Sequence, residues 1–209
     1  MDKKFAIFDM DGTLVDSMPI WKNLAYEYLH SKGIKDIPVE VMQDIMPMTL
    51  IESSTYFIRY FNLDCSPQNV MEDMSKIMQY HYENDIELKP KAMDYILKLH
   101  DKGVIMCVAS STSHNLMDKC LTRLGIKKYF SFLISSEEVG VGKSSPKVYL
   151  EAVKRMNATV LETAVFEDAL FAINTAKEAG FYTVGVYEKI DRDSVLDVKN
   201  AVDEFLDFY

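Results

Sequence analysis

The sequence predicts an α/β chain in which a doubly wound, mostly parallel sheet is interrupted after its first strand by an all-helical insertion. Three observations carry that expectation. The short apolar run Phe5-Ala-Ile-Phe8 ends on a carboxylate, Asp9, with Gly12 soon after, which reads as a buried strand entering a tight loop. From Met18 to Tyr82 the apolar positions keep helical spacing. Beyond Pro90 strand-like and helix-like segments alternate, the rhythm of strands joined by helical crossovers.

Each element follows in order. In the insertion, Trp21, Leu24, Ala25, Tyr28 and Leu29 share one helical face, as do Val70, Met74, Ile77, Met78 and Tyr82. Pro19, Pro38, Pro47 and Pro67 mark helix starts or breaks, so about four helices are expected. After it come a helix over 91–101, a strand over Val104–Ala109 and a helix over 114–124 that Gly125 ends. A strand at Phe132–Ser135 leads through a Gly-containing loop to a helix near 146–156. Strand Thr163–Phe166, helix 169–179, strand Tyr182–Val186 and an amphipathic stretch over 194–208 complete the reading. The domains expected are therefore a sheet core over 1–17 and 83–209 and a helical unit over 18–82.

Composition narrows the function. Of 209 residues 48% are hydrophobic and 26% charged, enough for a substantial core. The net charge of −9 offers no basic field for a phosphate backbone, which disfavours nucleic acid as partner. No apolar run reaches the ~18 residues of a membrane span, and the N-terminus lacks the pattern of a signal peptide, so a cytoplasmic protein is expected. Cys65, Cys107 and Cys120 have neither paired nor zinc-ligand spacing. The composition is compatible with a monomer or a weak oligomer.

In a doubly wound sheet, ligands bind beyond the carboxyl ends of the strands. There the sequence places Asp9 and Asp11 after the first strand and Ser110, Ser111 and Thr112 after the second. Lys143 follows the third at some distance, and Glu167 and Asp168 follow the fourth. Asp9 and Asp11, two apart on an extended segment, would point to one face and repel, raising one pKa unless a cation intervenes. A hard divalent ion such as Mg²⁺ would take oxygen ligands from Asp9 and Asp168. Asp9 could then attack phosphorus while Asp11 moves the proton, with Lys143 and Ser110 holding the phosphoryl oxygens.

Asp9-Met-Asp11-Gly12-Thr13-Leu14-Val15-Asp16-Ser17 resembles the first motif of the haloacid dehalogenase superfamily, phosphatase branch. The second-motif hydroxyl matches Ser110, with Ser111 beside it as a further phosphate-binding position, and the third-motif lysine matches Lys143. The fourth-motif acids match Glu167-Asp168, so the resemblance covers nearly the whole chain. It implies a Rossmann-like core with Asp9 as nucleophile and Asp11 as acid/base. It also implies Mg²⁺ held by Asp9, the backbone carbonyl of Asp11, and Asp168, with Glu167 water-bridged behind. The helical insertion becomes a mobile cap whose Trp21, Met48 and Thr49 would face the substrate, a small phosphorylated metabolite.

The chain looks like the beta-phosphoglucomutase-like subgroup, with departures. Lys143 is followed by Ser144-Ser145-Pro146-Lys147 rather than Pro-Ala-Pro-Asp, and Ala169 and Ala172 replace the usual Ser and Gly. Where mutases of the group carry a cap histidine this chain has Trp21, and the stretch matching their cap arginine reads Met46-Pro47-Met48-Thr49. A mutase must grip two phosphates, so the expectation is a phosphatase. A mutase using Arg59 instead, or a non-catalytic phospholigand sensor, is the alternative. A calcium loop fails because Ile20 stands where its twelfth-position acid belongs, and a P-loop fails because its first Gly would be Glu137.

Overall fold

The computed structural model describes residues 2–45, 48–189 and 192–209. Met46 and Pro47, half of the stretch compared above with the mutases, lie outside the described residues. Strand β1 (Phe5–Phe8) is followed by α1 (Met18–Ser31), α2 (Val39–Ile45), α3 (Leu50–Phe61) and α4 (Pro67–Asn84). Next come α5 (Ala92–Asp101), β2 (Ile105–Ser110), α6 (His114–Arg123), β3 (Leu133–Ser135), α7 (Ser136–Val139) and α8 (Lys147–Arg155). The chain closes with β4 (Thr163–Glu167), α9 (Leu170–Glu178), β5 (Tyr182–Val186), α10 (Arg192–Ala201) and β6 (Glu204–Leu206).

Six strands form one sheet in the order β3-β2-β1-β4-β5-β6, and every pairing is parallel. The order reverses between β1 and β4, so the crevice for a ligand opens beyond the carboxyl ends of those two strands. They run in register, with Phe8 opposite Phe166, and these two rings stack at 4.1 Å. Ala6, Ile7 and Phe8 are wholly buried, as a strand covered by helices on both faces must be. Burying a side chain such as Phe8 contributes on the order of 2 kcal/mol relative to leaving it exposed.

Two features differ from the sequence reading. The stretch expected as one amphipathic segment over 194–208 is α10 followed by β6. A three-residue strand carries too little periodicity to be seen, and it forms because β5 offers an edge. Thr183 receives the Asp203 amide at 3.0 Å and donates its own amide to the Asp203 carboxylate at 2.8 Å. The short α7 also went unread. It starts on a capping box between Ser135 and Glu138 and stops at the left-handed Gly140.

The chain divides into two compact units, Met1–Ser17 with Ile86–Tyr209, and Met18–Asp85. The division falls after Asp85 rather than after residue 82 because α4 continues through Asn84. In the helical unit, Leu24, Ala25, Tyr28 and Leu29 of α1 are buried, as are Val70, Met74, Met78 and Tyr82 of α4. Thr49 begins α3 with a capping box to Glu52, and Ser66 caps α4 ahead of Pro67. The three cysteines are free. Among the described residues no helix is long and apolar enough to cross a membrane.

Candidate active site

The loop after β1 is tied to its neighbours residue by residue. The Asp9 amide donates to the Phe166 carbonyl at 2.9 Å, which continues the β1–β4 ladder one step beyond the strand. The chain then turns sharply, as the Leu14 and Val15 amides both donate to the Met10 carbonyl, at 2.9 and 3.0 Å. Gly12 makes the turn possible in two ways. Its φ of +77° is left-handed, and a Cβ there would overlap the Asp168 carboxylate, lying 2.7 Å from its Cγ. Thr13 donates its hydroxyl to Asp168 at 3.0 Å.

The two aspartates have different partners. Asp9 joins Glu167 and Asp168 in a buried group whose ligand oxygens lie within 4.8 Å of one another. Asp11 instead accepts the Ser17 hydroxyl at 2.7 Å on one oxygen and the Thr112 hydroxyl at 2.6 Å on the other. Glu167, expected behind the metal site, is one of the three clustered acids.

Lys143 arrives from the loop between α7 and α8 and is buried. Its ammonium pairs directly with Asp9 and with Glu167, the latter at 2.5 Å. Tyr149 on the buried face of α8 donates its hydroxyl to the same Glu167 oxygen at 2.9 Å. Three carboxylates against one ammonium leave two negative charges with no buried counter-ion in the group. The pKa directions express this. Burial pushes the Asp9 carboxyl well above its ordinary value, with Glu167, Asp168 and, least, Asp11 adding to the rise and Lys143 opposing it. Burial and then Glu167 push Asp168 up to about 7, against the Thr13 hydrogen bond, Lys89 and Lys143. Burial disfavours the Lys143 ammonium, but Asp9 and Glu167 outweigh it and hold the proton more tightly.

The hard oxygen donors of Asp9, Glu167 and Asp168 are compatible with a divalent ion such as Mg²⁺. Ser110 is buried at the end of β2, where its Oγ accepts the Thr112 amide at 3.1 Å, whereas Ser111 is exposed. His114 lies exposed in the first turn of α6.

Within the helical unit, Trp21 donates its indole N–H to Tyr82 at 3.2 Å, and the Thr49 hydroxyl is engaged in the α3 cap. Met48 lines a cavity of about 640 Å³ with Ile51, Tyr56, Arg59 and Tyr60. Sequence reasoning left Thr13 and Tyr149 without roles and placed Thr112 only within the hydroxyl cluster after the second strand. Thr13 and Thr112 lie inside segments already singled out, but the apolar face of α8 alone gives no hint that Tyr149 reaches an acid.

The profile of the haloacid dehalogenase-like hydrolases matches residues 6–186. A bifunctional riboflavin kinase/FMN phosphatase of Arabidopsis thaliana is 28% identical over 86% of this chain, which spans 47% of that larger protein. A phosphorylated carbohydrates phosphatase of Thermotoga maritima is 25% identical over 94% of this chain and 91% of its own length. Among solved structures, a candidate beta-phosphoglucomutase from Thermotoga maritima superposes with a TM-score of 0.84, covering 98% of this chain and 94% of that one at 23% identity. The fold, the order of the site residues and the family profile agree, and the chain belongs to the haloacid dehalogenase-like hydrolases.

Proposed function

We propose that this protein is a Mg²⁺-dependent phosphomonoester hydrolase acting on a small phosphorylated metabolite. The observation that carries the reading is the buried Asp9, paired with Lys143 and facing Asp168, with Asp11 two residues on. An Asp9 oxygen attacks phosphorus and the bond from phosphorus to the leaving oxygen breaks, giving an aspartyl-phosphate. Asp11 delivers its proton to that oxygen, so the alcohol leaves neutral. Asp11 then takes a proton from water, whose oxygen attacks the same phosphorus. The bond to Asp9 breaks and inorganic phosphate is released.

Lys143 and Ser110 hold phosphoryl oxygens throughout, where negative charge must be met by fixed donors. Asp9, Asp168 and the Asp11 carbonyl would hold Mg²⁺, with Glu167 in the same acidic group. The ion supplies charge neutralisation at the phosphoryl oxygens and relief of repulsion among the carboxylates. Ser17 and Thr112 keep the Asp11 carboxylate in a defined orientation between its two proton transfers.

A sugar phosphate is the substrate class this reading favours, in line with the phosphorylated carbohydrates phosphatase that aligns with nearly the whole chain. The mutase reading is weaker because Trp21, in its indole bond to Tyr82, offers no histidine chemistry. The test is phosphate release from a panel of sugar, nucleoside and small-acid phosphates, with Mg²⁺ and with chelator. Chelator-sensitive release is expected. Interconversion of sugar phosphates without net release would instead make the protein a mutase.

A further inference from the structure

A second buried charge cluster lies beside the site and takes no part in the reaction above. Lys89 is wholly buried. Its Nζ donates to the Tyr187 carbonyl at 2.6 Å, pairs with Glu188 at 2.7 Å and lies 4.9 Å from the centre of the Tyr209 ring. The Tyr209 hydroxyl donates to Asp16 at 2.9 Å and sits 3.3 Å from Glu188. The Lys189 ammonium covers the same ring at 3.7 Å. Burying an ion pair costs solvation that its attraction hardly offsets, so such a pair is a weak source of stability and a better source of register.

The register it sets concerns the loop after β1. The Lys89 amide donates to the Leu14 carbonyl and the Asp16 amide to the Glu87 carbonyl, both at 2.9 Å, while Val15 bridges Leu88 antiparallel. Lys89 therefore fastens this loop to the end of β5 through a single residue, backbone on one side and ammonium on the other. Thr13, next to Leu14, is the residue that holds Asp168. Asp168 and Glu188 also line one small cavity of about 20 Å³.

We propose that Lys89 is a positioning residue of the site, setting through Leu14 and the Tyr187–Glu188 segment the point at which Thr13 holds Asp168. The inference rests on the metal-binding role of Asp168 proposed above, and it concerns placement rather than contact with reacting atoms. The test is calorimetric titration of Mg²⁺ into the full chain as wild type, Lys89→Met, Thr13→Val and both together. Methionine keeps the stem and deletes the donors. Each single change is expected to weaken Mg²⁺ binding roughly tenfold, the scale typical of groups that orient metal ligands. The double variant should be no weaker than the weaker single, because both changes act on Asp168 along one path.

Wild-type Mg²⁺ affinity in Lys89→Met, or losses that multiply in the double variant, would overturn the proposal. Lys89→Met leaves Glu188 buried without its counter-charge, so if that variant does not fold, Lys89→Met/Glu188→Gln is measured against the same criteria. If neither folds, Lys89 is needed for folding itself and the positioning role is rejected. Binding is read without turnover, so a protein that binds Mg²⁺ but hydrolyses nothing ends the phosphatase reading and leaves this test intact.

Discussion

Lys143 and Asp9 stand 134 positions apart in the chain, and the ammonium of one is in direct contact with the carboxylate of the other. The same lysine reaches Glu167, so a single buried cation is shared between the proposed nucleophile and an acid at the end of β4. The cation opposes the rise in the Asp9 pKa that burial and the neighbouring acids cause.

Asp9→Asn is expected to lower turnover by more than roughly a thousandfold, because the amide is a poor nucleophile and a poorer metal ligand. Phosphate release from the best substrate measures it. Near-normal rates in a preparation free of wild-type enzyme would remove Asp9 as nucleophile.

Asp11→Asn should behave differently. Its carboxylate lies with Ser17 and Thr112 rather than in the acidic group, so Mg²⁺ affinity should change little while phosphoryl transfer slows by roughly 10² to 10⁴. Calorimetry beside single-turnover kinetics separates the two effects. A large loss of Mg²⁺ binding would mean that the side chain, and not only the backbone, serves the metal.

Gly12→Ala is a small change with two penalties. The left-handed backbone costs an alanine about 1–2 kcal/mol, and the new methyl would collide with Asp168. The expected result is a lower melting temperature together with weakened Mg²⁺ binding. A variant that loses stability but keeps its metal affinity would show that Asp168 can yield without harm.

Asp168 predicts a pH effect whose sign follows from its raised pKa of about 7. The folded state binds this proton more tightly than the unfolded chain does. The group's contribution to metal-free stability is therefore fully present below the unfolded value, near 4, and is lost as pH rises toward 7. Mg²⁺ must displace the proton, so the rise in melting temperature caused by the ion should grow between pH 5 and pH 8 by this argument. Differential scanning fluorimetry with and without Mg²⁺ measures it, and a shift that does not change with pH would contradict it.

Sequence alone determined the architecture, because hydrophobic periodicity is a local property: a run of four buried apolar residues, helical faces and strand–helix alternation can be read without knowing what they pack against. It also pointed to Asp9, Asp11, Ser110, Lys143, Glu167 and Asp168 as candidates, since parallel strands deliver their ends and the loops that follow them to one edge of the sheet. Tertiary structure decided what depends on neighbours distant in the chain. The edge of β5 made a strand of Glu204–Leu206, and the closed fold brought Asp11 to Ser17 and Thr112 and Asp9 among the acids. The reach of Tyr149 to Glu167 and of Lys89 to Glu188 belongs to the same class. Spacing along a chain sets which face a side chain occupies, but which partner it meets there is fixed only when the backbone closes and burial forces each polar group to find one.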